Sequence, residues 1–225
     1  MKAIKNILSI CSVALLLGSC QADLLETKPY GNVAAGNMWT SENFADKGVT
    51  AIYSTLRKSY VGLGLYQMDC LGVSTDCRDA DYPIMRNTIT TSNGMFSSYW
   101  SEHYSGISRA NDAIVHLPEV DMPENKKARY MAEAKVLRAY FYYKLNIMYK
   151  GVPVYLEPVE ASECTKGQET EAAVWQVIED DLTAAINEPN LPNIYTEGSS
   201  DYGRVTKGLA YALRGKAYLY QKEYA

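Results

Sequence analysis

Two neighbouring stretches of the sequence carry the side chains best suited to recognise a polar ligand. The first, STDCRDADYPIMRNT at 74–88, supplies carboxylates, guanidiniums and a phenol, namely Asp76, Arg78, Asp81, Tyr82 and Arg86. The second, NGMFSSYW at 93–100, supplies the aromatic rings of Phe96, Tyr99 and Trp100. Binding pockets combine apolar walls with a few polar groups that orient the ligand. We therefore predict that these residues contribute to a ligand-binding site.

Several of these residues also fit purely structural roles. Trp100 begins an apolar stripe at helical spacing and fits a helix core; the stripe continues through Tyr104, Ile107, Ala110, Ile114 and Leu117. Asp76 and Asp81 fit a solvated loop with Asx turns. For the nearby Asn111, a hydrogen bond to a neighbouring helix is the expected role rather than a ligand contact.

The sequence offers little support for catalysis. His103 and His116 match no nucleophile or metal spacing, and no serine-hydrolase, zinc-protease or phosphate-loop motif occurs. The 26 acidic residues leave room for the carboxylate pair of a glycosidase. The densest acidic cluster, EDD at 179–181, is interpreted as the polar face of a helix. We predict no enzymatic activity, no metal and no cofactor.

The N-terminal segment has the features of a lipoprotein signal. Lys2 and Lys5 precede an apolar run that ends at Leu17, about half the length of a membrane-spanning helix. Gly18, Ser19 and Cys20 follow, which resembles a bacterial lipobox. We predict a signal peptide over residues 1–19 and a lipidated tether over 20–38 that begins at Cys20; a plain signal with a chance cysteine is the alternative.

Charge and cysteine usage narrow the possible partners. The net charge is −4 and no basic run exceeds two residues, so a nucleic-acid partner has no electrostatic basis. Cys70, Cys77 and Cys164 remain after the signal. A Cys70–Cys77 disulfide and three free thiols are both compatible with this number, whereas a zinc site is not expected because no histidine lies near.

Most of the remaining chain has helical periodicity. We predict helices within 40–60, 99–117, 124–150, 170–187 and 211–225, with a long irregular region over 61–98. The prolines of GVPVYLEPV at 151–159 predict an extended segment there. Such a loop inside a domain is uncommon and tends to be functional. The helix at 124–150 is apolar on two faces, which predicts that it is sandwiched between others. YALRGKAYLYQKEYA at 211–225 has the residue types of a tetratricopeptide repeat helix, whose partner helix would follow Tyr224.

Six stretches in order resemble one family, SusD/RagB, the nutrient-binding outer-membrane lipoproteins of Bacteroidetes. They are the lipobox ending at Cys20, WSEHYSGISRAND, AEAKVLRAYFYYKL, YKGVPV, VIEDDLTAAI and GRVTKGLAYALRGKAYLY. The resemblance implies a mostly α fold of tetratricopeptide-like helical pairs with a long irregular loop. Family members are about twice this length and their C-terminal half is absent here, so we expect residues 39–225 to form an N-terminal helical domain that is incomplete at its C-terminus.

The resemblance also implies a function and partners. Such a protein is anchored by lipid to the outer membrane, on the cell surface, and binds an oligosaccharide or another nutrient. It delivers that ligand to a SusC-type TonB-dependent barrel. The alternative is a structural tetratricopeptide adaptor of the cell envelope with no small ligand. The loop before residue 100 favours the first, because an adaptor has no need of it.

Overall fold

The structure, a computed structural model, describes residues 38–63 and 88–224. The predicted signal peptide, Cys20 and nearly all of the tether lie outside the described residues. So do both cysteines of the possible disulfide and five of the predicted ligand-binding residues, namely Asp76, Arg78, Asp81, Tyr82 and Arg86. The described residues belong to the compact unit of the chain that begins at Met38.

Within residues 38–63 and 88–224, this unit contains five α-helices. They are α1 Glu42–Thr55, α2 Gly94–His116, α3 Glu124–Tyr149, α4 Glu171–Asn187 and α5 Lys207–Gln221. Short helical turns follow at Ser59–Leu63, Leu117–Glu119 and Ala161–Glu163. No strand occurs in residues 38–63 and 88–224. The prediction of a mostly α fold is confirmed.

Consecutive helices pack antiparallel, as the contacts along each pair show. In the α2–α3 pair, Tyr99 near the start of α2 donates its hydroxyl to the Lys144 carbonyl near the end of α3 (3.1 Å). Further along, Asn111 of α2 meets Arg138 of α3 (2.8 Å). The α3–α4 and α4–α5 pairs follow the same rule.

Helix α3 lies between its neighbours and is buried on two faces, as predicted. The stripe that includes Leu137 and Phe141 and the stripe that includes Val136 and Ala139 are all inaccessible to solvent or nearly so. One face packs on α1 and α2, and the other packs on α4. The core of the described unit therefore surrounds α3.

The buried face of α2 differs from the predicted stripe. Ile107, Ala110 and the adjoining Leu117 are buried as expected, but Trp100 and Tyr104 are only half-buried. Their places in the core are taken by Tyr99, His103, Gly106 and Ala113. The stripe is rotated because Phe141 of α3 packs directly on Gly106, where a Cβ would lie 2.5 Å from its ring. This rotation leaves Trp100 and Tyr104 at the surface.

Local sequence signals account for the helix ends. The side chains of Asn93, Thr170 and Thr206 accept hydrogen bonds from backbone amides in the first turns of α2, α4 and α5. Helix α3 ends where Lys150 and Gly151 both adopt positive φ, 58° and 105°. A side chain at Gly151 would also collide with the Glu169 carbonyl, at 2.3 Å. This glycine thus sets the direction of the segment that follows.

Helix α5 carries several large side chains that are exposed to solvent. Its exposed large side chains are Leu209, Tyr211, Leu219 and Tyr220, and Tyr224 follows directly. The opposite face packs through Ala210, Leu213 and Ala217.

His103 is a histidine inside the core of this helical unit. Its side chain is fully buried, stacks on Tyr99 and lies against Phe141. Nδ1 donates to the Tyr99 carbonyl (2.7 Å), which leaves Nε2 unprotonated and without a hydrogen-bond partner among the described residues. Burial lowers the pKa of His103 from 6.5 to about 4, since the charged form loses its hydration.

This lowered pKa predicts an acid-sensitive core. Between pH 6.5 and about 4 the unfolded chain binds a proton at His103 that the folded chain does not. The free energy of unfolding should therefore fall as the pH falls through this window, by up to about 3 kcal/mol, and be unaffected by this group above it. Urea denaturation at a series of pH values would measure the slope.

The matched comparison is between the two histidines of α2. Replacing His103 by Gln should flatten the pH dependence over this window. His116 is half-exposed at the end of the same helix, and replacing it by Gln should leave the pH dependence of stability unchanged. An unchanged slope in His103→Gln would contradict the prediction.

Candidate functional site

A pocket of about 500 Å³ opens beside α2. One side is formed by the half-buried face of α2 and the other by the segment between α3 and α4. Its lining residues on the helix are Trp100, Ser101, Tyr104, Ile107, Ser108 and Asn111, and those on the segment are Pro153, Tyr155, Glu157, Val159, Cys164 and Lys166. The volume falls in the range of small-molecule sites.

Two aromatic rings form the floor of this pocket. Trp100 and Tyr104 lie one helical turn apart, with ring centroids 4.9 Å from each other. Tyr149 packs edge-on against Trp100 at 5.1 Å, and its hydroxyl donates to the Phe96 carbonyl (2.8 Å). These contacts hold the indole in one orientation. The pair is thus a preformed apolar surface with one face open to the pocket, which we call the aromatic platform.

The opposite side of the pocket is residues 153–157, which we call the pocket wall. The lining residues here alternate, as Pro153, Tyr155 and Glu157 do, which is the pattern of an extended chain. The Tyr104 hydroxyl donates to the Pro153 carbonyl (2.6 Å) and ties the platform to the wall. The prolines at 153 and 158 favour this extended course, as the sequence predicted.

Some polar groups of the pocket already form hydrogen bonds within the protein, whereas others are available to a ligand. Asn111 and the Tyr104 hydroxyl are engaged with the wall. The Trp100 indole Nε1 donates to no other residue within 38–63 and 88–224, and the carboxylate of Glu157 is exposed at the rim. An indole donor and a carboxylate acceptor beside an aromatic surface suit a ligand with hydroxyl groups on an apolar ring face.

The charges near the pocket are held in place by the fold. Lys166 donates to the Val154 carbonyl (2.9 Å) and lies 5.2 Å above the Tyr155 ring. Burial raises the pKa of the Tyr104 phenol, so that it remains a neutral hydrogen-bond donor at physiological pH. Among the described lining residues, the pocket therefore carries one cation, Lys166, and one exposed carboxylate, Glu157.

The three predicted site residues that the structure describes have different surroundings. Trp100 lines the pocket. Tyr99 is 2% exposed and belongs to the core, because α2 is rotated relative to the predicted stripe, so its side chain is not on the pocket surface. Phe96 is half-buried in a small cluster with Met95, Ile89 and Tyr60, away from the pocket.

Other residues of the pocket were not predicted from the sequence as site residues. Tyr104 was assigned to the core stripe, and Tyr155, Glu157 and Lys166 were in a segment without an assigned role. Only the prolines of GVPVYLEPV indicated an extended segment there. Asn111 was expected to bond a neighbouring helix, and this is confirmed, since its Oδ1 accepts from Arg138 of α3 (2.8 Å).

The interpretation of EDD at 179–181 as a polar helix face is wrong for its last residue. Asp181 is 5% exposed and receives two hydrogen bonds from Arg138, from Nε (2.7 Å) and Nη2 (2.8 Å). Burial raises the pKa of the Asp181 carboxyl, while the paired guanidinium acts in the opposite direction. Only Asp180 is fully at the surface, and Glu179 is half-buried.

Among the described residues, no three His, Cys, Asp or Glu side chains lie together in a way that could hold a metal ion. None of the helices in the same residues has both the length and the hydropathy needed to cross a bilayer.

Comparison with known proteins identifies the family. Residues 24–219 match the SusD-like family described as starch-binding associating with outer membrane. This match covers most of the sequence. The chain belongs to the SusD-like family. Two curated SusD-like proteins of Formosa agariphila agree: P38 is 28% identical over 233 residues and P25 is 23% identical over 236.

Solved SusD-like structures share the helical fold. A laminarin-binding SusD-like protein superposes with a TM-score of 0.71 at 36% identity, over 81% of this chain and 41% of its own. Surface glycan-binding protein A from Bacteroides uniformis gives a TM-score of 0.71 at 27% identity, over 81% of this chain and 43% of its own. The chain spans 44% of the length of the curated SusD-like relatives.

Proposed function

We propose that this SusD-like protein binds a glycan in the pocket between the aromatic platform and the pocket wall. The observation that carries the proposal is the exposed ring pair of Trp100 and Tyr104 in a preformed cavity of about 500 Å³. Sugar rings present an apolar face edged by hydroxyls, which fits a ring surface next to the Trp100 indole N–H and the Glu157 carboxylate. Two relatives named as laminarin-binding and glycan-binding support this ligand class.

The proposal extends to the cell surface. Cys20 carries the lipid anchor, residues 20–38 are the tether, and the protein delivers its glycan to a SusC-type TonB-dependent barrel of the outer membrane. Dual or higher acylation gives lasting attachment where one chain does not. Co-purification of such a barrel with the protein from detergent-solubilised outer membranes tests the delivery step. The loop residues Asp76, Arg78, Asp81, Tyr82 and Arg86 remain predicted contributors to the ligand site.

Affinity electrophoresis tests the binding step. The protein, in the full length that its gene encodes, is run through native gels that contain laminarin, starch or mannan. We expect slowed migration in at least one of these glycans, reversed by excess of its soluble oligosaccharide. Unchanged migration in all three gels, with weak or no binding to a wider glycan panel, would overturn the proposal and favour the adaptor alternative.

A further inference from the structure

The pocket wall has no regular secondary structure to hold it. Residues 153–157 are neither helix nor strand, and they form no backbone-to-backbone hydrogen bond within the described part of the chain. Their backbone is instead bonded by side chains, mainly those of α2 and α3, and by Lys166 at the Val154 carbonyl. The position of the wall relative to the aromatic platform therefore depends on these side chains.

Asn111 and Arg138 bond three consecutive carbonyls of the wall. Asn111 Nδ2 donates to the carbonyls of Tyr155 (2.8 Å) and Glu157 (3.2 Å). Arg138 Nη1 donates to the intervening Leu156 carbonyl (3.1 Å). Tyr142 adds a hydroxyl that donates to the Tyr155 carbonyl (2.8 Å). The inner edge of the wall is thus satisfied by buried donors.

A buried chain of bonds fixes the orientation of the Asn111 amide. Arg138 Nη1 donates to Asn111 Oδ1 (2.8 Å), so the NH₂ group must point the other way, towards the wall. The guanidinium is itself held by both oxygens of Asp181 on α4. Asn111, Arg138 and Asp181 are 1%, 6% and 5% exposed. Water therefore offers little competition for these bonds.

We propose that Asn111 is a positioning residue, oriented by Arg138 and Asp181, that sets the pocket wall at its working distance from Trp100 and Tyr104. Three helices then act together on one short segment, from the α4 carboxylate through the α3 guanidinium to the α2 amide. The consequence for the glycan rests on the proposed function, whereas the consequence for the wall does not. Binding is strengthened when a site is held in its bound geometry in advance.

The substitution Asn111→Asp isolates this role. It keeps an oxygen that accepts from Arg138 but replaces the NH₂ group, so that a carboxylate oxygen faces the carbonyls of Tyr155 and Glu157. Hydrogen exchange followed by mass spectrometry, without glycan, should show about tenfold faster exchange of the Tyr155 amide, which donates to the Tyr142 hydroxyl (2.8 Å), and of the Lys166 amide. The Lys166 amide is included because it donates to the Tyr155 hydroxyl (3.1 Å). Peptides from the middle of α5 should change little.

Two further variants complete the design. Asn187→Asp adds the same charge at an exposed site on α4 and should leave wall exchange at the wild-type rate. Asn111→Leu removes the amide without adding a charge, so it still tests the wall if Asn111→Asp does not fold. Affinity for the glycan that the wild type binds should fall about tenfold in both Asn111 variants.

The outcomes separate the two claims. Wild-type exchange rates in the wall of the folded Asn111 variants would overturn the positioning role. Faster wall exchange with unchanged glycan affinity would overturn its link to binding. If the wild type binds no glycan, the proposed function fails, and the exchange rates measured without glycan still decide whether Asn111 positions the wall.

Discussion

Replacing Asp181 by alanine is expected to lower the free energy of unfolding by about 3–5 kcal/mol, the usual cost of leaving a buried charge without its partner. Arg138 would keep its bonds to Asn111 and to the Leu156 carbonyl. It would lose both bonds to the only carboxylate that it contacts within the described residues. Urea denaturation followed by circular dichroism measures the change, with the unfolding slope checked for two-state behaviour.

The neighbouring residue provides the control for this prediction. Asp180 is exposed and bonds only the side chain of Gln176 (2.9 Å) among the described residues. Asp180→Ala should therefore change the free energy of unfolding by no more than about 0.5 kcal/mol. A loss below about 1 kcal/mol in Asp181→Ala would show that the buried pair is not held as the structure describes it.

A double variant separates the cost of leaving the Arg138 guanidinium unpaired from the cost of losing the Asp181 carboxylate itself. Adding Arg138→Met to Asp181→Ala removes the unpaired charge, and buried ion pairs are often replaced by apolar residues at little cost. Stability should then recover in part. The recovery should remain incomplete, because Asn111 Oδ1 and the Leu156 carbonyl would lose their donor.

Replacing Trp100 by alanine is expected to weaken glycan binding by about 30-fold, which corresponds to about 2 kcal/mol for a central aromatic contact. The indole supplies the larger ring of the aromatic platform and a donor that is left available in the pocket. Isothermal titration with an oligosaccharide of the glycan that the wild type binds measures the effect. The experiment uses the protein in the full length that its gene encodes.

Two variants show whether the loss is specific to the site. Tyr211→Ala removes an exposed aromatic ring from α5, outside the pocket, and should leave affinity unchanged. Trp100→Phe keeps a ring but removes the indole N–H, and should give an intermediate affinity. If folded Trp100→Ala bound the glycan as tightly as the wild type, the platform would be excluded as the binding surface.

Helix α2 shows what hydrophobic periodicity can and cannot predict about the position of a side chain. The spacing of Trp100, Tyr104 and Ile107 correctly predicts a helix with an apolar face. It does not predict that His103 and Gly106 lie at the centre of the buried face, because neither counts as apolar in such a pattern. The fit of Phe141 onto Gly106 decides the rotation. As a result, Tyr99, which was predicted to be a site residue, lies in the core. Tyr104, which was predicted to lie in the core, lines the pocket.

Asp181 shows the same limit for charged residues. Acidic residues on an amphipathic helix usually face water, so the cluster at 179–181 gave no sign of a buried member. Its burial follows from Arg138, which is 43 residues away in the chain. A pairing between helices of this kind has no local signature in one sequence.

The sequence by itself determined the helical class, the extent of most helices, the two-sided burial of α3 and the family to which the chain belongs. These follow from local rules, namely hydrophobic periodicity, capping residues and an ordered set of motifs. Only the tertiary structure decided which face of α2 is buried, and with it that Trp100 and Tyr104 meet Tyr155 across a pocket. The orientation of α2 depends on packing and buried hydrogen bonds between residues that are distant in the chain. A short stretch of sequence contains no information about these interactions.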